Sequence, residues 1–121
     1  MPRGARLLNR NDFRHVFRGG RRCRSSHLHL VLLENSLGYS RIGLAVSRKV
    51  GGSVVRNLIK RRLRELFRRN RELLKKGTDV VVIPQPGVDG LTFQQLADDF
   101  LGLLSRTFAA ESSHPRGEPT R

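Results

Sequence analysis

The spacing of apolar residues along this chain changes several times, and each change predicts an element. Phe13, Val16 and Phe17 stand at i, i+3 and i+4, one face of a helix. Asn9 is placed to cap that helix, and Asp12 three residues on has the form of a capping box. Gly19-Gly20 ends it. Residues 21–24 read as a basic loop, with an extra short strand near Cys23 as an option. Residues 27–34 (His-Leu-His-Leu-Val-Leu-Leu-Glu) alternate and then become continuously apolar, which predicts a strand.

Asn35-Ser36-Leu37-Gly38 carries turn chemistry, and residues 41–49 alternate again. Ile42, Leu44 and Val46 point one way; Arg41, Gly43, Ala45 and Ser47 point the other. An antiparallel pair of 27–34 with 41–49 is the economical reading. After Gly51-Gly52, with Ser53 as candidate N-cap, a long helix is expected from 54 to about 74, its buried stripe made by Val55, Ile59, Leu63, Leu66 and Phe67. The short apolar run 79–84 predicts a buried central strand lying beside the strand before the long helix and joined to it through that helix. Thr92-Phe93-Gln94-Gln95 has the form of a second capping box. Phe93, Leu96, Ala97, Phe100, Leu101, Leu104 and Phe108 then line one face of a last helix.

The predicted fold is α+β, an α/β sandwich: a small mixed sheet with helices packed on it, in the order helix, strand, strand, helix, strand, helix. One domain is expected over residues 1–110. Residues 111–121, rich in Ser, Pro, Gly and charge, are expected to form a disordered tail.

Charge decides which partners to consider. The 121 residues carry 24 Lys and Arg against 10 Asp and Glu, a formal net charge of +14. Such a surface calls for a polyanion. No apolar run approaches the roughly 20 residues of a membrane span, and the N-terminal residues lack the apolar stretch of a secretory signal. The single cysteine, Cys23, has no partner for an internal disulfide, which fits a cytoplasmic setting.

The cations concentrate on the long helix. Between Arg56 and Arg69 stand seven of them and one acid, Glu65. At 100° per residue, Arg56, Lys60, Arg64, Asn57, Arg68 and Arg61 share an arc of roughly 140°. A solvated helix face normally mixes signs; this one suits phosphate, which guanidinium binds in two-point geometry. Arg48 and Lys49 extend the patch, and the glycine-flanked helix N-terminus adds backbone donors. Candidate protein-borne chemistry is sparse. His27 and His29 lack a third ligand nearby in sequence. Asp98 and Asp99 diverge by about 100° on their helix and do not converge on one ion. No catalytic residue and no metal ligand is assigned.

Residues 56–65, Arg-Asn-Leu-Ile-Lys-Arg-Arg-Leu-Arg-Glu, resemble the signature of the bacterial ribonuclease P protein family, a glycine-containing turn followed by Arg-Asn-Arg-Ile-Lys-Arg-x-x-Arg-Glu. The likeness extends to Asp12-Phe13 and Val16-Phe17 in the first helix, to the strand beginning Arg41-Ile42-Gly43-Leu44, and to Asp79-Val80-Val81-Val82-Ile83. Leu58 departs from it, standing where the signature has its second Arg, a charge that a neighbour such as Arg62 would have to supply. Pro84-Gln85-Pro86 also lacks an Arg often found there.

The resemblance implies a left-handed crossover through the long helix, against the usual rule. It further implies the protein subunit of an endoribonuclease that removes the 5′ leader of precursor tRNA, with RNA as the catalyst and Mg²⁺ bound mainly by that RNA. Arg48, Lys49, Arg56, Asn57, Lys60, Arg61, Arg64 and Arg68 would face the catalytic RNA. Phe13, Phe17, Leu28, Leu30, Val31 and Arg41, with a contribution from Arg48, would line a cleft for the single-stranded leader. The alternatives are a ribosomal or assembly-type RNA-binding module, which needs no such cleft, and a self-sufficient nuclease, which needs an acidic cluster.

Overall fold

The computed structural model describes residues 6–74 and 77–113. A two-residue strand β1 (Arg6–Leu7) leads into α1 (Arg10–Gly19), followed by β2 (Arg21–Arg24), β3 (Leu28–Glu34) and β4 (Arg41–Leu44). A 3₁₀ turn (Arg48–Val50) precedes α2 (Ser53–Arg69); β5 (Thr78–Pro84) and α3 (Phe93–Ser113) complete the chain. The strands form one mixed sheet in the order β1-β4-β5-β3-β2. The α+β class is as expected.

The expected β3–β4 hairpin is not formed. β5 lies between the two strands, antiparallel to β3 and parallel to β4. Residues 35–40 therefore step over the end of β5: Asn35 N donates to Gly77 O at 2.6 Å, and Thr78 N donates to Ser40 Oγ at 3.1 Å. Local turn chemistry could not announce a strand arriving from 40 residues downstream. The parallel β4–β5 pair joined through α2 is as read from the sequence.

Several boundaries move. The strand expected over 41–49 stops at Leu44, and Arg48–Val50 turn as a 3₁₀ element capped by Ser47, whose Oγ accepts from Lys49 N. Gly52, not Ser53, occupies the N-cap of α2, and no side chain caps it. The helix ends at Arg69 rather than near 74, because Asn70 turns its Nδ2 back onto Leu66 O at 2.9 Å and satisfies one of the last free carbonyls. Helix α3 continues to Ser113, past the expected start of the tail at 111; residues 114–121 and the side chain of Phe108 lie outside what is described. Both capping boxes are present: Asn9 with Asp12, and Thr92 with Gln95.

The period-two alternation sorts the strands between two apolar clusters. Leu28, Leu30 and Leu32, Ile42, and Val80 and Val82 face α2 and α3, against Ile59, Leu63, Leu66, Phe67, Leu96, Phe100, Leu103 and Leu104. On the other face Val31 and Val81 meet Leu8 and Val16, with Phe13, Phe17, Leu33 and Ile83 partly buried around them. Leu103, which the sequence reading passed over, is buried, and Leu101 is only partly so.

Helix α1 sits close to the sheet at Gly43. A Cβ there would lie 2.7 Å from Phe13 Cζ and 2.9 Å from Leu8 Cδ1, so only glycine lets the ring rest on the strand. Gly43→Ala is expected to cost about 1–3 kcal/mol, the usual penalty of overpacking, read as a lowered urea midpoint with an unchanged m-value.

Candidate RNA-binding surfaces

Helix α1 is tied to the sheet by charge. Arg41 on β4 makes a two-point contact with Asp79 on β5, Nε to Oδ1 at 2.9 Å and Nη2 to Oδ2 at 2.8 Å. Its Nη1 reaches Asp12 Oδ2 at 3.1 Å, the same oxygen that accepts the Asn9 N–H in the α1 capping box. Asn35 Nδ2 also donates to Asp79 Oδ1 at 2.7 Å. The hydrogen bond to Asp79 raises the Arg41 pKa above its ordinary value; partial burial opposes this, and the charges of Asp79 and Asp12 reinforce it. Arg41 was expected in the leader cleft. Its fork is instead committed to two carboxylates, so its part there is to hold α1 in place.

The leader cleft needs further correction. Leu28 and Leu30 are fully buried on the α2–α3 side of the sheet, the face opposite α1. Alternation pairs 28 with 30 and 29 with 31; it does not say which set faces which helix. Of the three expected β3 residues, Val31 alone packs in the cluster on the α1 side, although Leu30 also contributes to the lining of a depression there. Beside Val31 the structure places residues the sequence reading passed over: Arg22, Arg24, His29 and Ile83, lining that depression of ≈ 250 Å³. The short strand near Cys23, an option in the sequence reading, is formed as β2 and carries Arg22 and Arg24 to this face.

Phe13 and Phe17 stand at the edge of this face, half-buried, with ring centroids 6.2 Å apart. The Arg22 guanidinium lies 5.7 Å from the centre of the Phe17 ring, and its Nη2 donates to Phe17 O at 2.9 Å. At the other end of α1, a second depression of ≈ 160 Å³ is lined by Leu8, Phe13, Ile42, Gly43 and Leu44 together with Lys60 and Arg64 of α2. Lys60 and Arg64, assigned from sequence to the catalytic RNA, thus share a concavity with Phe13.

The remaining α2 residues divide by direction. Asn57, Arg61 and Arg68 are exposed, as are Arg48 and Lys49 before the helix. Arg56 is half-buried and donates from Nε to Gly51 O at 3.1 Å, bracing the turn that starts the helix. Arg68 and Arg69 are both bonded to Glu65, which their hydrogen bonds hold below the usual carboxylate pKa. Among the described residues no group of three or more His, Cys, Asp or Glu side chains could hold a metal ion, and no helix is long and apolar enough to cross a membrane.

The chain that carries these surfaces is similar to known proteins over most of its length. Residues 1–107 match the model of the family described as Ribonuclease P. The chain belongs to the ribonuclease P protein family. A ribonuclease P protein component from Thermotoga maritima is 37% identical over 108 residues, covering 86% of this chain and 92% of the relative. One from Geobacter sp. strain M21 is 40% identical over 106 residues, covering 87% and 90%. The solved structure of the Thermotoga maritima ribonuclease P protein superposes with a TM-score of 0.77 at 36% identity, covering 84% of this chain and 96% of that one.

Within the family frame the Arg41–Asp79 pair has a measurable weight. Asp79 is only 2% exposed. Removing its partner strands a buried carboxylate, and such losses run to about 3–5 kcal/mol. Arg41→Met is expected to destabilise the chain on that scale, measured by urea unfolding, while Asp12→Asn should cost much less because its carboxylate is more exposed.

Proposed function

We propose that this chain is the RNA-binding subunit of ribonuclease P, holding the catalytic RNA on the outward face of α2 and the 5′ leader of precursor tRNA in the cleft between α1 and the sheet. The observation that carries the leader assignment is the half-buried Phe13–Phe17 pair with cations at both ends, Arg22 at one and Lys60 with Arg64 at the other. An aromatic beside a basic groove stacks an unpaired base and neutralises its phosphates, whatever the base. Arg48, Lys49, Asn57 and Arg61, exposed along one side, are open to a larger polyanion, while Arg68 beside them is bonded to Glu65.

In this reading the protein supplies binding and alignment, and hydrolysis belongs to the RNA. The chain offers no ligand set for Mg²⁺ among the described residues; we place that ion on the RNA, where it would activate water and stabilise the leaving oxygen. The holoenzyme is an endoribonuclease acting in tRNA 5′ maturation, in the cytoplasm. Compared with a ribosomal or assembly module, the tRNA-processing reading has the advantage of a use for the aromatic cleft.

The first test is precursor-tRNA cleavage at low Mg²⁺ by a bacterial ribonuclease P RNA, with and without this protein. Restored, accurate 5′ cleavage is expected; binding without any change in rate or cleavage site would return the chain to the generic RNA-binding class. Phe17→Ala should weaken long-leader substrates by about 5- to 150-fold, the range of one lost stacking contact, and spare those trimmed to one or two nucleotides. Equal loss on both would mark Phe17 as core. Arg64→Ala should lower the salt slope for leader-bearing substrate by about 0.7, one single-strand phosphate contact.

A further inference from the structure

The flank of α2 turned away from α1 carries a second concavity that the leader cleft does not use. Leu58, Arg61, Arg62, Glu65 and Arg69 of α2 and Phe93 of α3 line an open groove of ≈ 520 Å³. Along the helix, Leu58, Arg62 and Arg69 fall at about 200°, 240° and 220° from Arg56, whereas Lys60 and Arg64 fall at about 40° and 80°. The two concavities therefore open on different sides of one helix.

Two features fit this groove to an unpaired nucleotide. The first is charge: three guanidiniums face one carboxylate, and that carboxylate is already occupied by Arg68 and Arg69. The second is a guanidinium held over an aromatic ring. Arg69 is 57% exposed, and an exposed arginine ordinarily samples many rotamers. Here Nε donates to Glu65 Oε2 at 2.6 Å while Cζ lies 5.5 Å from the centre of the Phe93 ring. Phe93 is in turn packed against the main core. The result is a layered platform, with core, ring and guanidinium in order and the outer layer open to solvent. Leu58 gives the groove an apolar wall at the position where the family signature carries Arg, and Arg62, one turn on, supplies a cation beside it.

We propose that this groove extends the catalytic-RNA face of α2: it grips one unpaired nucleotide of that RNA, whose base stacks on Arg69 over Phe93 while its neighbouring phosphates pair with Arg61 and Arg62. Glu65 is a positioning residue that fixes the Arg69 plane. The proposal rests on the reading of the chain as a ribonuclease P subunit. It commits to the catalytic RNA because a leader lying along α1 would have to cross the exposed crest of α2 to reach the groove.

The test is equilibrium binding of the full chain to a bacterial ribonuclease P RNA without precursor tRNA, across a KCl series. Arg69→Lys keeps the charge and loses the plane; Phe93→Leu keeps the apolar packing and loses the ring. Each should weaken binding by about 5- to 150-fold, the range of one stacked base, with the salt slope unchanged. Arg61→Ala with Arg62→Ala should lower the slope by up to about 0.9 per lost phosphate contact. All variants should keep the wild-type preference for long leaders. Wild-type affinity in Arg69→Lys would overturn the groove assignment whatever the Arg61 and Arg62 variants do, as would a loss seen only with leader-bearing precursor tRNA, which would give the groove to the substrate. Arg69→Lys leaves the core untouched, so it decides the matter even if Phe93→Leu lowers the melting temperature. Failure of the wild-type chain to bind the RNA would sink the parent reading and this one together, a pattern distinct from wild-type binding with indifferent variants.

Discussion

A single carboxylate in the middle of the sheet constrains most of what surrounds it. Strand β5 is buried along nearly its whole length, and all but one of residues 79–83 are apolar. The exception, Asp79, can be buried as an ion only if its charge and lone pairs are met. Arg41 meets it with both prongs of the guanidinium from the parallel neighbour β4, and Asn35 meets it from the loop that crosses the strand end. Arg41 and Asp79 are also Cα partners in the β4–β5 ladder, so the bond and the register specify each other. A parallel register between successive strands demands a crossover, which is α2. The third donor of Arg41 then reaches Asp12 and hooks α1 to the opposite face. The placement of α1 relative to the sheet, and with it the width of the cleft proposed for the leader, follows from where that guanidinium is pinned.

The same economy explains how so basic a chain folds. Its few acids hold chosen side chains in place: Asp12 and Asp79 hold Arg41, Glu65 holds Arg68 and Arg69, and Asp99 accepts from Ser25 Oγ at 2.7 Å, tying α3 to the loop before β3. Among the described residues, Arg48, Lys49 and Arg61 face outward, and Lys60, Arg62 and Arg64 line concavities. Net repulsion costs the folded state something; concentrating the acids at junctions places neutralisation where it orders the backbone and leaves the RNA-facing charge intact.

Sequence reading was strongest where structure is local. The Asn9–Asp12 and Thr92–Gln95 boxes, the buried stripe of α2 and the central place of β5 all follow from patterns a few residues long. It failed where the deciding contact is distant. Arg41 was assigned to the leader cleft because its partner Asp79 is 38 residues away, and the hairpin was inferred because nothing near Asn35-Ser36-Leu37-Gly38 announces a strand arriving about 40 residues later. Leu28 and Leu30 were put on the wrong face for a related reason: period two separates the two sets but carries no label for the helix each will meet. The family resemblance came from the order of four motifs, a long-range property. It identified the chain without revealing that Lys60 and Arg64 share a concavity with Phe13.

That sharing bears on how one short helix would serve the two RNAs proposed for it. Lys60 and Arg64 are half-buried, so their charge acts through a partly desolvated medium and is screened less by salt. Arg61 projects into water, where salt screens its attraction more. Arg69 is as exposed, but it is oriented by Glu65 and Phe93 and offers shape as well as charge. A helix that graded its arginines this way could let outward charge gather a large polyanion while inward charge and aromatic edges select an unpaired strand. With only 17 residues in α2, the opposed flanks are what make room for both tasks.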